Sequence, residues 1–417
     1  MSKKMSISQP DWAEMDFFFK ILNNYLTSKT SYKLMGYSVK KSESVGQNYA
    51  SDMFFAKVEY KTESDNVEGR LLSIIVKVKP ESEMRRIVLD KMYMREIIIY
   101  RDILPKIRTL LDDVGISTEI APRCVLTQDS PTTLLALENL SQTTECYRSV
   151  DRRQGLDFYQ TKSVLGKLAT FHACTMVINE RTPEIFEPFC DPTISHHPDQ
   201  ENFVIFFRVG VRGLLAEVST WKGYEEMVKK LTKLETTIVD KGVNVYKWHQ
   251  NPFNVLNHND VWTNNLIFNF DELDGTLRDS LMLDYQLCNW GSPGIDLNFL
   301  LYGSIDDSVR RTKLNQLIEH YHFVMTDILK KLKFSRKMPT LQNIYSEVSR
   351  TGFHGVNAAL CLRPMAMMPP RENAHMETFL SDGPEGVAFR KDVYSNPKYQ
   401  QFIKPLLQEF DQKGYFD

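Results

Sequence analysis

Apolar and polar positions follow two different periods along this chain. Near the start, Trp12, Phe17, Phe18, Ile21, Leu22 and Tyr25 fall at helical spacing and predict a short helix. From 44 to 80 the period shortens. Asp52–Tyr60 and Leu71–Lys79 read as strands, separated by a polar turn carrying Asp65, Asn66 and Gly69, and Pro80 ends the second. Residues 82–104 return to a helical pattern, with Ile87, Met94, Ile97 and Ile98 near one face, and Pro105 is expected to stop the helix. Thr133–Leu137 predicts another strand before the polar stretch Glu138–Arg148. After that the pattern is mostly helical, at 156–178, 221–240 and 309–333, with one β island inside it. Leu266–Phe270 and Ser280–Tyr285 are short apolar strands joined through Asp274-Gly275, a strong hairpin signal.

The reading is an α+β fold of two lobes. Residues 1–140 form a strand-rich N-terminal lobe with a helix and an antiparallel sheet, ending in a hinge at 137–140. Residues 141–417 form a larger, mostly helical lobe that holds the hairpin. A ligand cleft is expected where two such lobes meet, because pockets favour domain interfaces.

A formal net charge of -2 gives no electrostatic footprint for nucleic acid. The start of the chain lacks the apolar run of a secretory signal, and no apolar stretch approaches the roughly 20 residues of a membrane helix. Six cysteines are scattered without a CxxC pair, which suits reduced thiols better than a disulfide framework or a zinc site. The expectation is a cytoplasmic protein with neither membrane nor nucleic acid as partner.

Candidate chemistry concentrates in Asn257–Phe268. His258, Asp260 and Asn265 have the H-x-D-x-x-x-x-N spacing of a kinase catalytic loop, placed just before an apolar strand. A carboxylate there can orient an acceptor hydroxyl and take its proton. A nearby amide oxygen can hold Mg²⁺ without adding a charge that competes for that proton. Downstream, Asp284 ends the apolar run Leu281-Met282-Leu283. Mg²⁺ takes one or two carboxylates plus substrate phosphates, and Asp284 with Asn265 meets that minimum.

His258–Phe268, Leu281–Gln286 and Ser292–Leu297 together resemble the ecdysteroid kinase-like family of arthropods, within the aminoglycoside and choline phosphotransferase group and its protein-kinase-like fold. The resemblance runs over most of the chain. Gly46–Ser51 resembles the family's nucleotide loop, Ile75–Val78 its β3 lysine strand, Arg95–Tyr100 its αC-like helix and Leu137–Leu140 its hinge. It implies an ATP- and Mg²⁺-dependent small-molecule kinase acting on a hydroxyl of a steroid, a choline-like alcohol or a xenobiotic. It further implies Asp260 as base, Asn265 and Asp284 as Mg²⁺ ligands, and Lys77 paired with Glu96 on the α/β-phosphates. Gly46 and Asn48 would belong to the nucleotide loop, the Glu138–Leu140 backbone would meet adenine, and His258 and Asp296 would support the catalytic loop.

Three departures stand out. Asn259 replaces the usual Gly after the His, and Asn tolerates left-handed backbone best after Gly. Tyr285 replaces Phe. The nucleotide loop has Gly46 but no GxGxxG. The rival reading is a non-catalytic, pseudokinase-like binding protein, and an aminoglycoside- or choline-type phosphotransferase is the nearer alternative.

Plainer readings compete at single residues. Lys57 and Lys79 rival Lys77, since a strand lysine is usually solvated, and Glu96 lies on a charged helix. Asp296 fits equally an N-cap for the helix through Leu297–Leu301. His258 reads as a structural hydrogen-bonder and His172 as packed in its helix without chemistry, while the His196-His197 pair reads as surface. Arg363–Pro370, rich in Met, is either a wall of the acceptor pocket or an ordered loop.

Overall fold

The computed structural model describes residues 10–26, 30–42, 52–63, 69–79, 86–142, 147–191, 201–247, 251–369 and 376–417, with the side chains of 86–89 and 201–203 left aside. Gly46, Asn48, Cys146 and the His196-His197 pair lie outside the described residues. The chain divides into two compact units, Met1–Leu104 with Ala121–Tyr147, and Pro105–Ile120 with Arg148–Asp417. The hinge read at 137–140 falls inside the first of them.

The first unit contains α1 (Met15–Tyr25), β1 (Tyr32–Lys41), β2 (Asp52–Thr62), β3 (Arg70–Val78), α2 (Arg86–Ile98), β4 (Cys124–Gln128) and β5 (Leu134–Glu138). Its strands form one antiparallel sheet in the order β1-β2-β3-β5-β4. β1 and β4 were not anticipated from the pattern. Ala56, Val58 and Tyr60 on β2 and Ile74, Val76 and Val78 on β3 alternate onto one face, where they meet Phe17, Phe18, Ile21 and Leu22 of α1. Odd-numbered positions of β3 therefore face the other way, and Lys77 is among them.

The helix expected to stop at Pro105 does not stop there. Ile99–Ile103 form one π turn, in which the Leu104 amide bonds Ile99 O, and helix α3 (Leu104–Asp112) continues from it. Pro105 has no N–H to donate, and the wider turn relieves the clash its ring would otherwise make with the preceding turn.

The second unit holds α3 from Pro105 onward and, beyond β6 (Tyr147–Arg148), whose first residue still belongs to the first unit, runs through α4 (Phe158–Arg181), α5 (Glu201–Val218), α6 (Glu225–Val245), β7 (Val255–Asn257), β8 (Leu266–Phe270), β9 (Leu277–Met282), β10 (Asn289–Gly291), α7 (Gly294–Gly303) and α8 (Asp307–Lys331). It closes with α9 (Leu341–Arg350), α10 (Phe353–Asn357), α11 (Arg363–Ala366), α12 (Met376–Leu380), α13 (Pro384–Tyr394) and α14 (Pro397–Gln412). Helix α4 starts at a capping box, Asp157 with Gln160, and is buried through Val164–Ile178 apart from Gly166. It packs against α8, β7 and β9 and so forms the backing of the hairpin. No described helix is long and apolar enough to cross a membrane.

The β8–β9 hairpin turns through Gly275, whose φ of 72° explains the Gly there. Strand β9 begins and ends earlier than the expected Ser280–Tyr285. Its last pair is Met282 with Leu266, and the backbone breaks from extended geometry at Asp284, φ 66° and ψ 72°. Asp284 thus stands just past the strand rather than in it. The Met-rich stretch is also not a plain loop, because Arg363–Ala366 is helical and Met367 and Met368 are buried.

Candidate active site

The loop between β7 and β8 is pinned from below by one carboxylate. Asp296, in the first turn of α7 and fully buried, accepts from the backbone N–H of His258 (2.6 Å) and of Asn259 (2.7 Å). The N-cap position of α7 belongs to Pro293, so Asp296 does not cap its helix. His172 reaches the same carboxylate from α4, with Nε2 3.1 Å from Asp296 Oδ2 and Nδ1 2.7 Å from the Tyr321 hydroxyl of α8. All three groups are satisfied when the Tyr321 hydroxyl donates to Nδ1 and Nε2–H donates to Asp296. His172 is therefore more than helix packing. A histidine on a wholly buried helix face needs partners for both nitrogens, and that requirement was the available signal.

Asn259 takes φ 61°, the left-handed region that its replacement of Gly requires. Its side chain adds two contacts that Gly lacks: Oδ1 accepts from the Tyr246 hydroxyl (2.8 Å), and Nδ2 donates to Leu287 O (3.2 Å). Asn259→Ala loses both and strains the backbone, and is expected to cost about 2–3 kcal/mol. Asn259→Gly is expected to cost about 1 kcal/mol less, because only the strain is removed. Urea unfolding of the two variants measures the difference, and equal losses would contradict this assignment.

The loop then brings Asp260 and Asn265 together. Asn265 Nδ2 donates to Asp260 Oδ2 at 2.7 Å and to Asp260 O at 2.9 Å. Its Oδ1 has no hydrogen-bond partner among the described residues. Amide bonds from Trp262 to Asp260 O and from Asn265 to Trp262 O make the intervening turn, and Ser304 Oγ accepts from the Thr263 amide. Leu283 N–H bonds Asn265 O at 2.8 Å, and His258 Nε2 donates to Leu283 O at 3.0 Å. These bonds tether the residue before Asp284 to both the first and the last parts of the loop between β7 and β8.

Electrostatics follow from that packing. Asp260 keeps some solvent-accessible surface but is otherwise enclosed by protein. Burial, then the Asp284 charge, pushes its carboxyl well above the usual range, against the Asn265 hydrogen bond. Burial holds His258 below the usual imidazole range, so its ring is neutral and donates through Nε2. Asp284, a non-glycine residue in left-handed backbone, stores strain of about 1 kcal/mol or more, a feature that recurs at functional positions.

In the first unit, Lys77 Nζ lies 2.7 Å and 2.8 Å from the two carboxylate oxygens of Glu96 on α2. The Lys77 carbonyl accepts from the Tyr93 hydroxyl at 2.6 Å. Lys77 is 9% exposed and Glu96 2% exposed, whereas Lys57 is exposed and Lys79 pairs at 3.1 Å with the part-exposed Asp90. Of the three candidate lysines, Lys77 alone is buried and paired within the sheet–helix core. At the hinge, Glu138 N–H bonds Arg123 O, and Asn139 holds Ser73 through its amide and its side chain. Leu140 begins a short 3₁₀ turn.

No group of three or more His, Cys, Asp or Glu among the described residues is arranged to hold a metal ion. A nucleotide-bound Mg²⁺ needs less than that, since phosphates and waters complete its shell. Asn265, with an unpartnered amide oxygen, and the Asp284 carboxylate fit that smaller requirement.

A family model described as the ecdysteroid kinase-like family matches residues 45–334. The chain belongs to the ecdysteroid kinase-like family. Lys77, Glu96, Asp260, Asn265, Asp284 and Asp296 of this ecdysteroid kinase-like protein all lie in the matched span, whereas α9 and everything after it lie beyond. Among solved structures, an aminoglycoside phosphotransferase from Alicyclobacillus acidocaldarius subsp. acidocaldarius DSM 446 is similar over 89% of this chain and 92% of its own, at 12% identity and a TM-score of 0.37. A search of curated proteins found no match. The mixed architecture expected for the family, an antiparallel N-terminal sheet followed by a larger helical part, is present.

Proposed function

We propose that this ecdysteroid kinase-like protein transfers the γ-phosphoryl group of ATP to a hydroxyl of a small molecule, a steroid or xenobiotic alcohol, in the cytoplasm. One observation carries the reading. Asn265 fixes the Asp260 carboxylate through Nδ2 and leaves its own Oδ1 open, while the His258–Leu283 bond steadies the approach to Asp284.

Asp260 would accept a hydrogen bond from the acceptor hydroxyl, orient its oxygen toward the γ-phosphorus and take the proton as the P–O bond forms. The leaving ADP carries away the electron pair of the broken bond. A carboxyl pushed upward by burial is a stronger base than an ordinary Asp, which suits that task. Asn265 Oδ1 and Asp284 would hold Mg²⁺, which, when bound, offsets charge on the β- and γ-phosphates. Lys77, aimed by Glu96, would contact the α/β-phosphates, and the Glu138–Leu140 backbone would meet adenine. Asp296 and His258 would keep the loop in shape from below, with roles of positioning.

The test is Mg²⁺-dependent ADP release across a panel of hydroxylated steroids and small alcohols. Turnover with at least one acceptor is expected. ATP binding without turnover on any acceptor would favour the non-catalytic binding protein instead. In the same assay Lys77→Met is expected to lower kcat/KM for ATP by roughly 10²-fold, the loss of one positioned phosphate-binding group. An unchanged kcat/KM would remove Lys77 from the site.

A further inference from the structure

Two buried side chains in the second unit have no hydrogen-bond partner among the described residues. His354 and Asn357 lie three residues apart on α10, a spacing that places both on one side of a helix. They are 3% and 2% exposed, and His354 Nδ1 and Nε2 and Asn357 Nδ2 and Oδ1 all lack a hydrogen-bond partner among the described residues. Buried polar atoms are paired in the great majority of cases, and an orphan carries its full desolvation cost. Four such atoms on one short helix concentrate unused hydrogen-bonding capacity at one place in the fold.

Their surroundings say where a partner would sit. The His354 ring stacks on Phe299 of α7 (centroids 5.4 Å apart, planes at 25°) and meets Tyr246 edge-on (5.6 Å, 83°). Both flanking rings are part-exposed. The Tyr246 hydroxyl bonds Asn259, the residue next to Asp260. A π turn, Ala358–Leu362, follows directly after Asn357, and such turns recur at functional sites. Residues 354 and 357 lie beyond the span that the family model matches.

We propose that His354 and Asn357 form a polar subsite that hydrogen-bonds a hydroxyl or carbonyl group of the acceptor, beside the rings of Tyr246 and Phe299. The inference rests on the phosphotransferase reading above. The chemistry selects a neutral ligand. Burial lowers the His354 imidazole to about 4, so near neutral pH it offers one donor and one acceptor, and Asn357 offers two donors and an acceptor oxygen. That uncharged mixture complements groups that both donate and accept, and it supplies no counter-charge for a phosphate or an ammonium. The flat faces of Tyr246 and Phe299 suit a rigid ring skeleton.

The test uses calorimetric titration of the full-length protein with ecdysone, a neutral polyhydroxylated steroid, and with choline as the cationic control. The variants are His354→Phe, Asn357→Leu and His354→Gln, each also titrated with Mg²⁺·ATP and melted thermally. Apolar replacements of similar shape remove the orphans without leaving new ones, so the first two are expected to melt no lower than the wild type and to bind ATP unchanged. They are expected to lose ecdysone affinity by roughly 10- to 100-fold, while His354→Gln, which keeps a donor and an acceptor, retains most of it. Should either apolar variant fail to fold, the other and His354→Gln carry the same comparison. The proposal is overturned if the wild type does not bind ecdysone, if choline binds more tightly, or if the variants bind ecdysone as the wild type does. A lowered melting temperature with unchanged ecdysone affinity also overturns it, because the atoms then serve buried water. Ecdysone binding that depends on these residues, without ADP release on any acceptor, would instead sink the phosphotransferase reading and leave the subsite standing.

Discussion

If Asp260 is the base proposed above, replacing it by Asn is expected to lower kcat by roughly 10²- to 10⁴-fold and to leave the KM for ATP close to its wild-type value, since positioned general bases contribute about that much. The separation has a structural basis. An amide at position 260 can still accept from Asn265 Nδ2, which now lies 2.7 Å from the carboxylate, so the turn and the free Asn265 Oδ1 survive. On the proposed mechanism, what disappears is the ability to take the acceptor's proton. The pH dependence has a definite sign. A base works only when deprotonated, and burial with the Asp284 charge raises this carboxyl above an ordinary Asp. Activity of the wild type is therefore expected to fall on acidification through that raised pKa, at a higher pH than an unperturbed carboxylate near 4 would give. Asp260→Asn is expected to have little activity at any pH and so no such limb. Steady-state kinetics from mild acid to neutral pH read both effects, and loss of ATP affinity with kcat intact would reverse the assignment.

Asp296→Ala is expected to be the most damaging change to the fold around the site. Its carboxylate satisfies two backbone N–H groups of the β7–β8 loop and the His172 Nε2–H, all buried. Removing it leaves three donors without an acceptor, at about 1–3 kcal/mol each, and the cost is about 3–6 kcal/mol after relaxation. For a unit of this size that corresponds to a fall in melting temperature of roughly 6–20 °C. Tyr321→Phe removes only the outermost bond of the same chain, to His172 Nδ1, and is expected to cost about 1 kcal/mol. Melting curves of the two variants give the comparison. Near-equal losses would show that Asp296 does not organise the loop.

Legibility from sequence differed by range of interaction. The β8–β9 hairpin was readable because its turn chemistry and its apolar strands are local, and Asp274-Gly275 has a single good conformation. Asp260 and Asn265 were readable as a pair because five residues of one tight turn suffice to bring their side chains together. The left-handed backbone at Asn259 followed from the Gly that the resembling family carries there, together with the tolerance of Asn for that geometry. β1 escaped notice because it is an edge strand, Tyr32–Lys41, with a Gly and a bulge that blur its alternation. The continuation through Pro105 escaped because a π turn is not encoded in apolar periodicity. His172 was read as packing because its partners, Asp296 and Tyr321, lie 124 and 149 residues away in sequence. His354 and Asn357 gave no local signal either. A lone His in an apolar helix looks like core until every neighbour is known.

The most direct test of the account is transfer itself. Purified protein is incubated with ATP labelled in its γ-phosphoryl group, Mg²⁺ and the acceptor that gives the greatest ADP release, and the acceptor is then analysed by mass spectrometry. The account predicts label on an acceptor hydroxyl with the wild type, none when Mg²⁺ is chelated, and almost none with Asp260→Asn. Label transferred by Asp260→Asn at the wild-type rate would contradict it.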